Sequence, residues 1–87
     1  MYIRPMDMEE HRKLGDLLLS QKQFAGAARE FEALIALNTP DKAGTYTKLA
    51  ESNFGQGNRQ SAKTNVLKAL EIAPSYDPAL ELLLKVR

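Results

Sequence analysis

The sequence repeats one pattern of apolar and small residues after a constant shift of 35 residues. This shift superposes Leu14 on Leu49, Gly15 on Ala50, Ala27 on Ala62, Phe31 on Val66 and Leu37 on Ile72. A period of this length is typical of repeat architectures, in which each unit buries its apolar face against the next. The chain is therefore predicted to hold two copies of one unit, residues 8–41 and 43–76.

Each unit is predicted to be a pair of helices, because its apolar residues recur at steps of three and four. The predicted apolar positions are His11, Leu14, Leu17 and Leu18 in helix one; Phe24, Ala27, Ala28, Phe31, Leu34, Ile35 and Leu37 in helix two; Tyr46, Leu49, Ala50 and Phe54 in helix three; and Ala62, Val66, Ala69, Leu70 and Ile72 in helix four. Asp7 and Asn58 are the predicted caps of helices one and four. Helix two is predicted to break at 38–41, and the glycines of 55–57 are predicted to end helix three.

A fifth helix is predicted over residues 77–87, with Asp77 as its cap and Pro78 at its first position. A shift of 34 carries Tyr46, Leu49 and Ala50 onto Leu80, Leu83 and Leu84. The shift predicts that these three leucines lie against the second hairpin, and that Leu82 and Val86 remain along an exposed edge. With no predicted strand, the fold class is all-α: two stacked antiparallel helical hairpins and a capping helix.

These residues resemble the tetratricopeptide repeat family, whose unit of about 34 residues carries the pattern W-x2-L-G-x2-Y…A-x3-F…P. The first unit supplies His11, Leu14, Gly15, Leu18, Ala27 and Phe31, and the second supplies Tyr46, Leu49, Ala50, Asn53, Ala62, Val66 and Pro74. Asn53 stands where the family expects an aromatic residue. The resemblance covers roughly residues 8–87 and implies that the first helix of each hairpin lines a concave surface that binds a peptide.

On this reasoning, the residues expected to face a partner are Glu9, Arg12, Asp16, Leu19, Thr47, Lys48, Glu51 and Phe54. Leu19 and Phe54 are the expected apolar anchors, although both are also suited to finishing the core over the turns. The charged members either orient a peptide or pair with one another. A subset of the family clamps a terminal carboxylate, but Asp16 and Glu51 would repel that group here.

The composition argues against most chemistry. Twelve basic and eleven acidic residues leave a formal charge of +1, which does not favour nucleic acid or anionic membranes, and no apolar run is long enough to span a bilayer. The chain has no cysteine and one histidine, so we expect no enzyme, no cofactor and no metal. Asp7, Glu10 and His11 are weighed as metal ligands, but packing of His11 is preferred.

Two other short patterns have simple structural explanations. The stretch 55–58 is rich in glycine, but no Lys-Ser or Lys-Thr pair follows it, so a hairpin turn is preferred to a phosphate cradle. Arg59, Lys63 and Lys68 are interpreted as a solvated helix face rather than a nucleic-acid patch. The first ten residues lack the pattern of a signal peptide, and the compartment is left open.

The sequence therefore predicts a protein–protein interaction module that binds a peptide or protein segment. The alternative is a structural or dimerising C-terminal appendage of a larger protein, since the run is also similar to the repeat tails that close some bacterial peptidase chains. In that case the chain has no activity of its own and forms a homodimer through the capping helix.

Overall fold

The computed structural model describes the backbone from Pro5 to Arg87 and the side chains from Met8 onward. This part of the chain forms five α-helices and contains no strand. Their bounds are α1 Pro5–Ser20, α2 Phe24–Ala36, α3 Lys42–Gly55, α4 Arg59–Ile72 and α5 Asp77–Val86. The predicted all-α class is confirmed.

The helices pack as consecutive hairpins. α1 lies against α2 and α3 lies against α4, while α2 and α3 join the two hairpins. α5 packs on α4 and also contacts α3. α3 is therefore the central helix, with neighbours on three sides.

The boundaries of the inner helices follow the predicted signals. The Asp41 carboxylate accepts a hydrogen bond from the Gly44 backbone N–H (3.0 Å), and the Asn58 side chain accepts one from Ser61 N–H (3.2 Å). Gly57 adopts a positive φ of 82°, a conformation that glycine takes without steric cost. Both predicted breaks between helices, at 38–41 and at 55–58, are confirmed.

The outer helices begin differently from the prediction. Pro5, the first residue that the structure describes, is already helical, so Asp7 lies within α1 rather than at its cap, and the Asp7 side chain is outside the described part. Tyr76 occupies the cap position of α5, and Asp77 and Pro78 are the first two helical residues. The carboxylate of Asp77 still lies at the positive end of α5, where it is favourable.

The core consists of two clusters of buried side chains. The first joins both hairpins and contains Ala27, Ala28, Phe31, Leu34 and Leu49. The second lies between α3, α4 and α5 and contains Ala50, Ala62, Val66, Ala69, Ala79, Leu82 and Val86. Every pair of adjacent helices thus shares apolar contacts, as expected for stacked repeats.

The predicted inward face of α5 is wrong. Leu82 and Val86 are buried, whereas Leu80 is 40% exposed and Leu84 is 65% exposed. Leu83 alone of the three predicted leucines packs partly on the core. The shift of 34 gives α5 the register of α3, a helix with neighbours on three sides. α5 instead packs mainly on α4 and turns Ala79, Leu82 and Val86 toward the core cluster.

The predicted apolar face of α1 is also partly wrong, since Leu14 is 44% exposed and Leu17 is 52% exposed. Their counterparts at the shift of 35, Leu49 and Ser52, are both buried. α2 covers this side of α3, and no helix in the described part of the chain covers the same side of α1. Ile72, another predicted core position, is half exposed at the end of α4.

Candidate functional site: a groove between the first, third and fifth helices

A groove of about 410 Å³ opens where the ends of α1 and α3 meet α5. Its apolar lining comes from Leu19, Phe24, Phe54, Pro78 and Leu82. Ser20 and four charged residues complete the lining: Lys22, Glu51, Glu81 and Lys85. The groove thus combines an apolar surface with charges of both signs, as binding sites for peptides commonly do.

The tight turn between α1 and α2 positions two of the apolar residues. Lys22 adopts a positive φ of 60° there, and the Gln23 backbone N–H reaches back to the Leu18 carbonyl (2.8 Å). This closure ends α1 just after Leu19 and starts α2 at Phe24. A Cβ atom added to Gly55 would overlap the Phe24 ring, so the end of α3 approaches that ring closely.

Leu19 and Phe54 serve the core and the groove together. Phe54 is partly buried and packs against the second cluster, and Leu19 packs in the same way against the first. Both also line the groove. The two predicted roles of these residues, contact with a partner and completion of the core, therefore do not exclude each other, because each side chain packs on the core with one face and lines the groove with another.

Four of the predicted charged residues pair with one another. Arg12 donates hydrogen bonds to the Glu9 carboxylate on the surface of α1. The Lys48 Nζ lies 2.7 Å from the Asp16 Oδ1 and ties α3 to α1. Hydrogen bonding to Arg12 lowers the pKa of Glu9, and the same bond raises the pKa of Arg12.

The paired residues do not share the groove with the apolar anchors. Glu9 and Arg12 line a second hollow of about 360 Å³ near Thr39 and Pro40. Asp16 and Lys48 line neither hollow. Of the eight predicted residues, the structure brings Leu19, Glu51 and Phe54 together in one place.

Glu51 is the carboxylate of the groove that comes from the central helix. Partial burial against the groove raises its pKa, although much of the side chain remains accessible to water. The positive charges of Lys48 and Lys85 act in the opposite direction, and Asp16 adds to the rise. None of the described basic residues lies within ion-pair distance of Glu51, so its charge is available to a bound cation.

Thr47 does not face a partner. Its side chain is buried, and its hydroxyl donates a hydrogen bond to the Ala43 carbonyl of the same helix (2.8 Å). α3 packs against α2, α4 and α5, which leaves little of its surface to solvent. The prediction of Thr47 as a contact residue is therefore wrong.

Sequence reasoning missed the residues that the α1–α2 turn, α2 and α5 contribute, namely Lys22, Phe24, Pro78, Glu81, Leu82 and Lys85. No motif marks them, because their proximity depends on how the second hairpin and α5 stack. Gly55 is the one local signal, since a residue without a side chain allows the close approach to Phe24.

Two departures from the repeat pattern have partners in the structure. His11, where the family has a tryptophan, lies 2.7 Å from the Glu30 carboxylate of α2. Asn53, where an aromatic residue is expected, accepts a hydrogen bond from the Asn65 amide of α4 (2.7 Å). Each pair links the two helices of one hairpin through polar side chains.

Outside the groove, the described residues from Pro5 to Arg87 have the following features. No three His, Asp or Glu side chains in that part of the chain lie close enough to hold a metal ion. Within the same residues, no helix is long and apolar enough to cross a membrane. Arg59, Lys63 and Lys68 are exposed on α4, where the Lys68 ammonium lies 5.7 Å from the centre of the Tyr46 ring.

The fold and the groove define a stack of helical hairpins with a concave site closed by a fifth helix. No protein-family model, curated protein or solved structure matches the chain.

Proposed function

We propose that the chain is a protein–protein interaction module that binds a peptide or protein segment in the groove between α1, α3 and α5. The observation that carries the proposal is the joint presence of Leu19 and Phe54 in a groove that is also lined by charged side chains. None of these, Lys22, Glu51, Glu81 and Lys85, forms an ion pair with another described residue. No catalytic activity and no cofactor is assigned.

The lining determines what kind of segment would fit. An apolar side chain of a partner would remove the exposed faces of Leu19, Phe24 and Phe54 from water, which is the main source of affinity in such contacts. Glu51 and Glu81 would attract basic groups of the segment, and Lys22 and Lys85 would attract acidic ones. A volume of about 410 Å³ is near the lower end of ligand sites, so one or two side chains would enter and affinity would be modest.

The resemblance to tetratricopeptide repeats supports the same assignment. We propose that residues 8–41 and 43–76 are two units of this kind and that α5 caps them. The first helices of those units, α1 and α3, contribute Leu19, Glu51 and Phe54 to the groove. The resemblance assigns the surface lined by these first helices to the binding of partners.

Selection from a displayed library of random peptides tests the proposal. We expect enriched peptides to bind the unaltered chain and to lose binding to Leu19→Glu and to Glu51→Lys. Leu67→Glu is the matched control, because Leu67 is an exposed leucine of α4 that lines neither hollow. Circular dichroism of each variant checks that the helices remain.

Two results would remove the groove as the site. One is that selection on the unaltered chain enriches no peptide more strongly than selection on Leu19→Glu does. The other is a set of peptides whose affinity for Leu19→Glu and Glu51→Lys matches that for the unaltered chain.

The second candidate is the structural or self-associating appendage of a larger protein. The expected surface for its self-association, an exposed edge of Leu82 and Val86, is wrong because both side chains are buried. Two exposed leucines elsewhere on α5, Leu80 and Leu84, favour self-association instead.

A further inference from the structure

The stack ends in two uncovered leucine pairs, one on each side. We call Leu14 and Leu17 the α1 flank, and Leu80 and Leu84 the α5 flank. All four side chains are at least two-fifths exposed. Neither pair lines the groove or the second hollow, so the proposed peptide site leaves them without a role.

The second repeat shows what kind of element would cover the α1 flank. At the shift of 35, Leu14 and Leu17 correspond to Leu49 and Ser52, which are buried on the side of α3 that contacts α2. A five-residue connection, 37–41, joins α2 to α3, so the two helices run antiparallel. The flank of α1 is therefore built like a surface that receives an antiparallel helix.

The α5 flank has the matching pattern. The exposed residues Glu10, Leu14 and Leu17 of α1, with Gln21 just after its end, follow at steps of four, three and four. The exposed residues Asp77, Leu80 and Leu84 of α5, with Arg87 at its C-cap, follow at steps of three, four and three. Each set lies along one side of its helix, with the leucines in the middle and polar groups at the ends.

The end groups select one orientation. With a rise of about 1.5 Å per residue, Glu10 lies about 10.5 Å from Leu17 along α1, and Arg87 lies about 10.5 Å from Leu80 along α5. An antiparallel arrangement therefore brings Arg87 opposite Glu10 when Leu80 lies beside Leu17. A parallel arrangement would instead place Asp77 near Glu10, where two carboxylates repel.

We propose that the α5 flank of one copy of this chain docks antiparallel on the α1 flank of a second copy. The contact repeats the packing of α2 on α3 and pairs Glu10 of one copy with Arg87 of the other. The contact joins two different surfaces, so an assembly of any length keeps a free α1 flank at one end and a free α5 flank at the other. Head-to-tail association continues the stack of hairpins.

The expected association is weak. The contact involves two short helical faces, well below the roughly 1,200 Å² of stable interfaces. Sedimentation equilibrium and light scattering should show a monomer at micromolar concentration and an average mass that rises beyond that of a dimer at millimolar concentration.

Two substitutions separate this arrangement from other modes of association. Leu17→Glu disables the α1 flank and Leu84→Glu disables the α5 flank, so each variant alone should remain monomeric. A Leu17→Glu copy keeps an intact α5 flank and a Leu84→Glu copy keeps an intact α1 flank. An equimolar mixture should therefore form dimers and stop there. Leu67→Glu, which places the same charge on another exposed leucine, should associate like the unaltered chain.

Exchange of the paired charges provides an independent check. Glu10→Arg and Arg87→Glu should each weaken association about two- to fivefold, as expected for one exposed ion pair. The chain that carries both changes should regain the original affinity, because every contact again joins opposite charges.

The proposal is overturned if the unaltered chain stays monomeric at millimolar concentration. It is also overturned if Leu84→Glu abolishes association while Leu17→Glu leaves it intact, since that result indicates a symmetric contact between two α5 helices. Neither result affects the peptide groove, whose residues are separate. Circular dichroism confirms that all variants are folded before association is measured.

Discussion

Single residues show how the two hairpins solve the same packing problem with different volumes. In the first hairpin, Gly15 of α1 faces the buried ring of Phe31. At the same two places in the second hairpin stand Ala50 and Val66, both fully buried. The smaller residue on one helix is thus matched by the larger one on the other, which keeps the packed volume nearly constant.

Gly15→Ala should lower the free energy of unfolding by about 1–3 kcal/mol, the usual cost of overpacking. A Cβ atom there would stand 2.8 Å from the Phe31 Cε1, and a fully buried ring has little room to move. This overlap outweighs the gain of up to about 1 kcal/mol from replacing glycine within a helix. Urea denaturation followed by circular dichroism measures the difference.

The matched double variant tests the cause. Gly15→Ala with Phe31→Val recreates the Ala50–Val66 pair, so its loss of stability should be smaller than the sum of the two single losses. Strict additivity of the two changes would contradict the close contact between these positions.

The two hairpins differ most clearly in the turn that joins their helices. Residues 21–23 join α1 to α2, and residues 56–58 join α3 to α4 at the same place in the repeat. Asn58 caps α4 through its side chain, whereas Gln23 at the cap of α2 makes no such hydrogen bond. The longer glutamine side chain is poorly suited to reach its own helix end.

Gln23→Asn should therefore raise the free energy of unfolding by about 0.5–2 kcal/mol, since it supplies the missing cap. The reverse change, Asn58→Gln, should lower it by a similar amount. Gln21→Asn in the same turn is the control and should have little effect, because residue 21 follows the C-terminal end of α1 and is not the N-cap of α2. Thermal unfolding compares the three variants, and an equal shift for Gln21→Asn would show that capping is not the cause.

At the scale of the whole molecule, stability is distributed along the stack. α3 has packed neighbours on three sides, whereas α1 packs mainly on α2, and α5 packs on one side of the second hairpin. In such linear assemblies, each unit depends on its nearest neighbours, and the ends open first. Amides of α3 should therefore exchange with solvent most slowly.

Leu82→Ala should cost about 2–5 kcal/mol, because Leu82 is buried between α5 and the rest of the core. Leu84→Ala, two residues further along, should cost no more than about 0.5 kcal/mol, since that side chain is mostly exposed. In Leu82→Ala, native-state hydrogen exchange should show that the amides of α5 and α4 lose more protection than those of α1. Equal losses for Leu82→Ala and Leu84→Ala would contradict the observed face of α5.

Much of the fold could be predicted because its causes are local. The period of 35, the cap at Asn58 and the break before Lys42 depend on residues close in sequence, and the structure confirms the helices that they predict. Part of the site was predicted for the same reason, since Leu19 and Glu51 project from helices whose register is set by that period.

What only the tertiary structure decided is which leucines have a neighbour and which residues meet. Leu49 is buried and Leu14 is exposed although they are equivalent in the repeat, because α2 covers this side of α3 and no described helix covers the same side of α1. Phe24 and Lys85 belong to one groove only because α5 folds back beside the ends of α1 and α3. Helical periodicity acts over three or four residues, whereas burial depends on contacts between segments that are distant in the chain.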